Sequence, residues 1–315
     1  MNEDRREKMA QEGMAGERVG FIGVGLMGQG MAANLLAKGF PLTVMANRNR
    51  KPIEELLAKG AKEAASPKAV AEQSDIVFIC VTDSPTVEKV VLGENGIREA
   101  ARKGLVIVDC STANPVSTEM LAKELAPLGV DFVDAPLGGT PAQAEAGQLT
   151  AMVGADPAVF RRVEAAIGAW ASKTVHLGPV GVGHKMKLLN NFVSMGYAAI
   201  YAEALAIAQK AGVTIEVFDS VLRGSRMDCG FYQTFMGYAF EDNPNSHRFA
   251  LANGAKDLRY VDAMANAVQV ANPISSAAKN LFAQAVGLGH GDKYVPMLAD
   301  VVAEMNGFKR RKRGE

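Results

Sequence analysis

The sequence has little of what marks a secreted, membrane-spanning or nucleic-acid-binding protein. Only three cysteines occur in 315 residues, Cys80, Cys110 and Cys229, and their odd number and scattered positions argue against a disulfide framework. Lys plus Arg equals Asp plus Glu at 34 each, so no net charge attracts nucleic acid or anionic lipid. The four histidines show no metal-ligand spacing. We expect a cytoplasmic protein without metal, nucleic-acid or membrane partners.

Long hydrophobic runs are also missing. The most apolar long stretch, 186–208, is interrupted by Lys187, two asparagines and Glu203, which argues against a membrane span. Residues 1–17 are polar and lack the apolar centre of a signal peptide, so we expect a disordered leader there. Residues 309–315 form a basic tail, which we expect to be solvated and frayed.

Between residues 18 and 180, short apolar runs alternate with helical segments. The runs that we predict as strands are 18–22, 41–46, 74–81, 105–112 and 130–137. Runs of this kind, separated by helices, are typical of a parallel, doubly wound sheet. We therefore predict an α/β fold, with a Rossmann-type domain over 18–180 and an all-helical domain over 181–308. The length also favours two domains.

The first predicted strand ends in a glycine-rich segment, GFIGVGLMGQG, at residues 20–30. Gly23, Gly25 and Gly28 have the spacing G-x-G-x-x-G and are followed by a predicted helix. In this context the first glycine allows a tight turn, the second lets a pyrophosphate approach, and the third lets helix and strand pack closely. The helix N-terminus adds a positive dipole end. The pattern predicts a dinucleotide site, and a purely structural turn is the alternative.

The second predicted strand indicates which dinucleotide is bound. It ends in Asn47 and Arg48, where an NAD site usually has an acidic residue, and Arg50 and Lys51 follow. Arginine suits a 2′-phosphate because it is always charged and forms bidentate hydrogen bonds. We therefore favour NADP(H), with NAD(H) as the alternative. A solvated helix start is the alternative interpretation of Arg50 and Lys51.

A long helix is predicted to follow the glycine-rich segment 178–183 and to end at Gly212. It is apolar almost all round, which indicates burial between domains. Counting 100° per residue places Lys187, Asn190, Asn191 and Ser194 on one polar stripe, with Lys185 on another flank. A lysine held by an apolar helix is costly unless it is paired, and it can be suited to proton exchange. Periodicity alone leaves a lysine that reaches solvent as an equal alternative.

Further blocks accompany these features in a fixed order: DCSTANP at 109–115, DAPLGGTPAQAEAGQLTAMVGA at 134–155, GVGHKMKLLNN at 181–191 and AKDLRY at 255–260. Together with the glycine segment they resemble the β-hydroxyacid dehydrogenases over roughly residues 18–305. This group includes 3-hydroxyisobutyrate dehydrogenase, tartronate semialdehyde reductase and glyoxylate/succinic semialdehyde reductase. The resemblance implies hydride transfer between a nicotinamide cofactor and a small β-hydroxy acid or carboxylated aldehyde, in a cleft between the domains. It also implies a homodimer or homotetramer.

The resemblance implies roles for individual residues. Lys187 matches the family's catalytic general acid/base, and Asn191 matches the asparagine that orients the substrate. Arg48 matches the arginine of the NADP-preferring members. Further cofactor-binding residues are expected at Leu26, Met27, Asn47, Val81, Thr82, Thr112 and Lys256. Substrate-binding residues are expected at Ser111, Thr112, Gly138, Gly139, Thr140, Asn191, Phe249 and Asp257.

One loop departs from the family pattern. Gly138 stands where many members have a serine that helps to hold the substrate carboxylate. We expect backbone N–H groups of Gly138 and Gly139, and a helix start at Thr140, to bind the carboxylate instead. The loop is closer to the type found in sulfolactaldehyde reductases, but Gly139 replaces their arginine. The alternatives are an imine reductase, a 6-phosphogluconate dehydrogenase-like enzyme and a non-catalytic NADP-binding protein.

Overall fold

A computed structural model describes residues 16–47 and 49–315. Residues 1–15 of the predicted leader, and Arg48, lie outside the described residues. The chain divides into two compact units, 1–187 and 188–315. We predicted the boundary at 180/181, ahead of the long helix, whereas the chain passes from one unit to the next seven residues later, within that helix.

The first unit alternates strands and helices over most of its length. Its strands are β1 (Val19–Ile22), β2 (Leu42–Met45), β3 (Lys62–Ala64), β4 (Ile76–Ile79), β5 (Val106–Asp109), β6 (Asp131–Asp134), β7 (Leu137–Gly138), β8 (Leu149–Gly154) and β9 (Ala171–Gly178). Its helices are α1 (Gly28–Ala37), α2 (Lys51–Ala58), α3 (Pro67–Glu72), α4 (Ser84–Leu92), α5 (Pro115–Leu125), α6 (Pro141–Glu145) and α7 (Pro157–Gly168). Helix α8 (Val182–Lys210) begins in this unit and continues into the second.

The sheet confirms the predicted doubly wound topology. Strands β3-β2-β1-β4-β5-β6 lie in this order and all pair in parallel. The order changes direction between β1 and β4, which is where such sheets bind ligands beyond the carboxyl ends of their strands. Strands β7 and β8 extend the sheet as an antiparallel pair, and β9 pairs in parallel with β8. We did not predict this extension.

Hydrophobic side chains cover both faces of the sheet. Phe21 and Phe78 belong to one core cluster, whereas Ile22 and Val77 belong to another. Because neighbouring residues of a strand point to opposite faces, only a strand buried on both sides needs a continuous apolar run. This burial explains why the strand runs were recognisable in the sequence.

An ion pair joins the segments that lead into β1 and β4. The Arg18 guanidinium donates to Asp75 at 2.7 Å and 3.0 Å. This hydrogen bond lowers the pKa of the Asp75 carboxyl to about 2. Arg102 Nη2 lies 3.5 Å from the same carboxylate. The charged group is only partly buried, so solvent weakens the interaction.

The second unit is helical, as predicted. After α8 it contains α9 (Ile215–Leu222), α10 (Gly230–Ala239), α11 (Leu251–Ala267), α12 (Pro273–Ala285) and α13 (Leu298–Met305). Its core includes Tyr201, Tyr232, Phe235 and Phe282, all buried. The Tyr201 ring packs edge-on against Tyr232, with ring centroids 5.3 Å apart. This unit therefore has a hydrophobic core of its own.

Helix α8 is long and apolar enough, by length and composition, to cross a membrane. However, 44% of its most apolar window is buried inside the protein. A single helix of this length and composition does not show a membrane span, because core helices of globular proteins pass the same test. Burial of α8 between domains stays a prediction.

The basic tail is solvated, as predicted, except at Arg310, but it is hydrogen-bonded and not frayed, so that part of the prediction was wrong. Arg310 is 7% exposed and donates from Nε to Asp300 at 2.6 Å and from Nη1 to the Ala239 carbonyl at 2.6 Å. Its guanidinium lies over the Tyr238 ring, 5.4 Å from the centroid. Gln209 fixes the tail further through the backbone groups on either side of Arg310. The tail is therefore part of the second unit.

Candidate active site

Each of the three positions of the β1–α1 turn is occupied by glycine for a different structural reason. Gly23 has a φ of +101°, and a Cβ there would lie 2.1 Å from the Cys80 carbonyl oxygen. A Cβ at Gly28 would lie 2.1 Å from the Gly23 carbonyl oxygen. A Cβ at Gly25 would meet no atom within 4 Å. Gly23 and Gly28 are thus required by packing, whereas Gly25 faces open space, which fits the approach of a pyrophosphate.

The start of α1 is suited to an anion. Met27 precedes the helix without a capping side-chain hydrogen bond, and the first turn has no acidic residue. No residue of this turn therefore neutralises the positive end of the helix dipole, and the nearby Glu55 carboxylate accepts a hydrogen bond from Gln29 Nε2 at 2.6 Å. Leu26, beside the open position, is 76% exposed. These features fit the cofactor-binding roles that we predict for Leu26 and Met27.

The end of β2 is where we predict that the 2′-phosphate of NADP(H) binds. Asn47 is exposed there, and Arg48 lies outside the described residues. Arg50 donates to Glu63 at 3.0 and 3.1 Å. This hydrogen bond lowers the pKa of the Glu63 carboxyl. Since Arg50 pairs with Glu63 just ahead of α2, the helix-start interpretation fits this residue.

Two loops that we predicted to bind ligands are tied together. Ser111 is 2% exposed, and its hydroxyl oxygen accepts a hydrogen bond from the Val81 N–H at 3.0 Å. Its own N–H donates to Asp109 Oδ1 at 2.9 Å. Thr82 is exposed and Thr112 is half-buried in the same two loops. Ser111 therefore joins the loops after β4 and β5, a role that the sequence did not predict.

Asp134, at the end of β6, anchors the first turn of α8. Its carboxylate accepts hydrogen bonds from the Gly181 N–H at 2.6 Å and the His184 N–H at 2.7 Å. Burial raises the pKa of Asp134, and the two N–H groups oppose that shift. A Cβ at Gly183 would lie 2.3 Å from the Met152 carbonyl oxygen, so the helix approaches β8 closely. The glycine-rich segment is thus a tight junction between the sheet and α8.

His184 is a polar residue that sequence reasoning missed. Its ring is fully buried, with Nε2 3.0 Å from the Ser111 carbonyl oxygen and Nδ1 2.8 Å from the Thr118 hydroxyl. The signal in the sequence was a histidine within an apolar helix, almost one turn before Lys187. Its partners come from distant segments, so that signal could not be interpreted from spacing alone.

The two lysines of the first turns of α8 lie in different surroundings. Lys185 pairs with Glu119 of α5 at 2.6 Å. Lys187 is half-buried. It lies four residues before Asn191 on one continuous helix, so the two follow each other at one-turn spacing.

In the second unit, Asn191 belongs to a polar network. Its Nδ2 donates to Asp257 Oδ2 at 2.6 Å, and Asp257 Oδ1 lies 3.2 Å from Lys256 Nζ. Asp257 is buried, and the Lys256 ammonium lies over the Tyr260 ring at 5.4 Å. The carboxylate therefore holds Asn191 and Lys256, two residues that we predicted for the site. A direct contact of Asp257 with substrate stays a prediction.

The loop around Gly138, which differs from the family pattern, is an ordered turn. Gly138 pairs with Thr150 in the sheet, and Gly139 has a φ of +133°. Thr140 begins α6 with a capping box, as predicted for an N-cap followed by proline. However, the Thr140 N–H donates to Gln143 Oε1 at 2.9 Å. The substrate-binding role of Thr140 stays a prediction, and it would require Gln143 to release that N–H.

Phe249 packs against the helical core and lies 6.1 Å from the His247 ring. Its predicted role in closing the pocket stays a prediction.

Among residues 16–47 and 49–315, no three His, Cys, Asp or Glu side chains are arranged to hold a metal ion.

Comparison with known proteins agrees with this geometry. Residues 18–178 match the NAD-binding domain of 6-phosphogluconate dehydrogenase, and residues 181–299 match the NAD-binding family of NADP-dependent 3-hydroxyisobutyrate dehydrogenase. The chain is 34% identical over 283 residues to 2-(hydroxymethyl)glutarate dehydrogenase of Eubacterium barkeri, covering 87% of this chain and 92% of that protein. It is 40% identical over 196 residues to 2-hydroxy-3-oxopropionate reductase of Escherichia coli, covering 62% and 66%.

A solved structure shows the same fold. The crystal structure of 3-hydroxyisobutyrate dehydrogenase from Salmonella typhimurium matches with a TM-score of 0.77 at 27% identity, covering 91% of this chain and all of that one. An imine reductase from Pseudomonas sp. matches with a TM-score of 0.57 at 20% identity, a likeness of fold alone. The chain belongs to the β-hydroxyacid dehydrogenase family and is an NAD(P)-dependent oxidoreductase of small hydroxy acids and their aldehydes.

Proposed function

We propose that this protein interconverts a 3-oxo acid and the corresponding 3-hydroxy acid with NADP(H), using Lys187 as general acid and base. The observation that carries the proposal is the anchoring of α8 by Asp134. This contact fixes the helix that bears Lys187 to the end of β6. Because β1 to β6 are parallel, the glycine turn after β1 lies at the same edge of the sheet.

The names of the relatives suggest the substrate class. One acts on 2-(hydroxymethyl)glutarate, another on 2-hydroxy-3-oxopropionate, and a structural relative on 3-hydroxyisobutyrate. In all three compounds the reacting carbon is bonded to the carbon that bears a carboxylate. We propose a substrate of the form HOCH2–CH(R)–COO⁻ or its aldehyde, where R is the substituent in which the three compounds differ.

The residues of this chain would supply binding and proton transfer. When bound, the nicotinamide cofactor donates or accepts the hydride. Lys187 gives a proton to the carbonyl oxygen in reduction and takes it from the hydroxyl in oxidation. Asn191, held by Asp257, would orient the oxygen-bearing group through its amide. The backbone N–H group of Gly139 would bind the carboxylate, and that of Gly138 would join it on release from its pairing with Thr150 of β8.

For the cofactor, we propose a preference for NADP(H). The support is chemical: no acidic residue follows β2, where NAD sites usually have one, and Arg48 suits a 2′-phosphate. The experiment compares the oxidation of NADPH and NADH at 340 nm with one carboxylated aldehyde. Arg48→Ala should raise the KM for NADPH and leave that for NADH nearly unchanged. Equal effects on both cofactors would contradict the proposed preference.

Lys187→Ala tests the proton-transfer role. General acid–base catalysis contributes about 10²–10⁴-fold, so we expect kcat to fall by about that factor while cofactor affinity changes little. Lys185→Ala is the matched control, because that lysine lies on the same helix but pairs with Glu119. Near-normal turnover of Lys187→Ala, or an equal loss in Lys185→Ala, would contradict the assignment.

We also propose that the protein forms a homodimer or homotetramer in the cytoplasm. Exposed apolar side chains at helical spacing support self-association: Leu189, Val193, Tyr197, Ile200 and Ile207 of α8. A contiguous apolar stripe of this kind is unusual on a monomer. Light scattering on the purified protein tests the proposal, since a single species at the mass of one chain, 33.3 kDa, would contradict it.

A further inference from the structure

The imidazole of His184 is fully buried and has no role in the proposed mechanism. The Ser111 carbonyl oxygen, 3.0 Å from Nε2, can only accept a hydrogen bond. Nε2 therefore carries a hydrogen, and Nδ1 lies 2.8 Å from the Thr118 hydroxyl, which itself donates to the Asn114 carbonyl oxygen at 3.2 Å. The backbone N–H of His184 donates to Asp134. The ring is thus fixed in one orientation.

The partners of His184 belong to separate segments of the first unit. Ser111 follows β5, Thr118 lies on α5, and Asp134 ends β6. Ser111 also accepts from Val81, which follows β4. His184 therefore joins the ends of three parallel strands: its ring reaches β5 and, through Ser111, β4, and its backbone N–H reaches β6.

Two carboxylates face the ring. Asp109 Oδ2 lies 3.9 Å from Nε2 and Asp134 Oδ2 lies 3.9 Å from Nδ1. Asp109 Oδ2 is buried and has no hydrogen-bond partner among the residues that the structure describes. An apolar residue in place of His184 would leave the Ser111 carbonyl without its hydrogen-bond donor beside this carboxylate. A buried acceptor without a donor is unfavourable, so we expect the loop to shift.

We infer that His184 is a positioning residue, which holds the Ser111 loop against the first turn of α8 and thereby sets the place of Lys187. The inference rests on the proposed catalytic role of Lys187. Lys187 lies three residues further along the same helix, so a shift of the first turn moves it directly. A misplacement of about 1 Å can cost about 10²-fold in rate.

The test compares His184→Ala with His184→Gln, whose amide N–H can replace the Nε2 donor. We expect His184→Ala to lower kcat by about 10²-fold while the Kd for NADPH, measured by fluorescence, changes less than about threefold. His184→Gln should recover most of kcat. His176→Ala is the matched control, because His176 Nε2 also contacts a backbone carbonyl, that of Ala155 at 2.9 Å. It should leave kcat unchanged.

Hydrogen exchange supplies a readout that does not depend on activity. His184→Ala should speed amide exchange at residues 111–112 and 184–187, and His184→Gln should restore slow exchange. Should His184→Ala not fold, Thr118→Val removes the Nδ1 partner and leaves the ring, and we expect a several-fold loss of kcat. Thr118→Val with wild-type kcat and exchange would then refute the inference.

Three results would overturn the inference: wild-type kcat and exchange in His184→Ala, a folded His184→Gln that recovers nothing, or an equal loss in His176→Ala. Failure of the proposed function looks different. In that case the wild-type protein itself turns over no carboxylated aldehyde, while the exchange measurements still test the contact.

Discussion

Substitution of alanine for glycine should have opposite effects at two positions of the β1–α1 turn, Gly25 and Gly23. Gly25→Ala adds a methyl group that meets no protein atom within 4 Å. Its backbone does not require a positive φ, so the free energy of unfolding should change by less than about 0.5 kcal/mol. The methyl group would stand where a pyrophosphate approaches the backbone. Loss of one hydrogen bond to a charged group costs about 1.5–3 kcal/mol, which corresponds to roughly 10- to 100-fold weaker NADPH binding.

Gly23→Ala should behave differently. The left-handed conformation costs about 1–2 kcal/mol for a residue with a Cβ. In addition, the new Cβ would lie 2.1 Å from the Cys80 carbonyl oxygen, and this oxygen belongs to backbone that cannot move cheaply. We therefore expect a loss of about 3 kcal/mol or more in the free energy of unfolding.

The assay measures urea unfolding and NADPH fluorescence on the same variants. Gly39→Ala is a control, because Gly39 has a φ of +87° but open space around its Cβ position. It should cost about 1 kcal/mol in stability without weakening NADPH binding. If Gly25→Ala binds NADPH as tightly as the wild type, the glycine turn does not hold the pyrophosphate and the reasoning is refuted.

Other predictions concern the loop, the tail and acid stability. Gly138→Ser should fold normally, since the nearest atom to its new Cβ is 3.6 Å away, and should lower the KM for a 3-hydroxy acid; an unchanged KM would contradict the loop's role. Arg310→Ala should lower the free energy of unfolding by about 2–4 kcal/mol in urea titrations, whereas the exposed Arg311→Ala should cost under about 0.5 kcal/mol. Asp75, with its pKa lowered to about 2, should contribute about 1 kcal/mol above pH 4 and lose it as the pH falls through about 2. Asp75→Asn should therefore be less stable than the wild type at pH 6, and the difference should shrink as the pH falls from about 4 through about 2.

The central strands could be predicted because burial on both faces requires a continuous run of apolar residues. Strand β4 needs apolar side chains on both faces, and a short continuous run such as Ile76–Ile79 is typical of a strand in that position. Strand β9 was missed for the same physical reason. Ser172 and Lys173 of β9 are exposed, so that strand lies at a surface and has no continuous apolar run. Local pattern thus indicates the interior strands better than the edge strands.

The candidate site was predictable where the chemistry is local in sequence. The glycine spacing and the Lys187–Asn191 repeat each lie within a few residues. The contacts of His184 and Arg310 join residues 66–73 and 10–71 positions apart, respectively. Such contacts depend on the completed fold, so a single sequence gives no periodicity from which to derive them.

The docked tail has a consequence for folding during synthesis. Translation proceeds from the N-terminus, so the Ala239 carbonyl and the Asp300 carboxylate leave the ribosome before Arg310 does. Until Arg310 arrives, the nascent second unit holds an acceptor and a carboxylate without their cation. The helical unit therefore completes these contacts only after residue 310 has been synthesised.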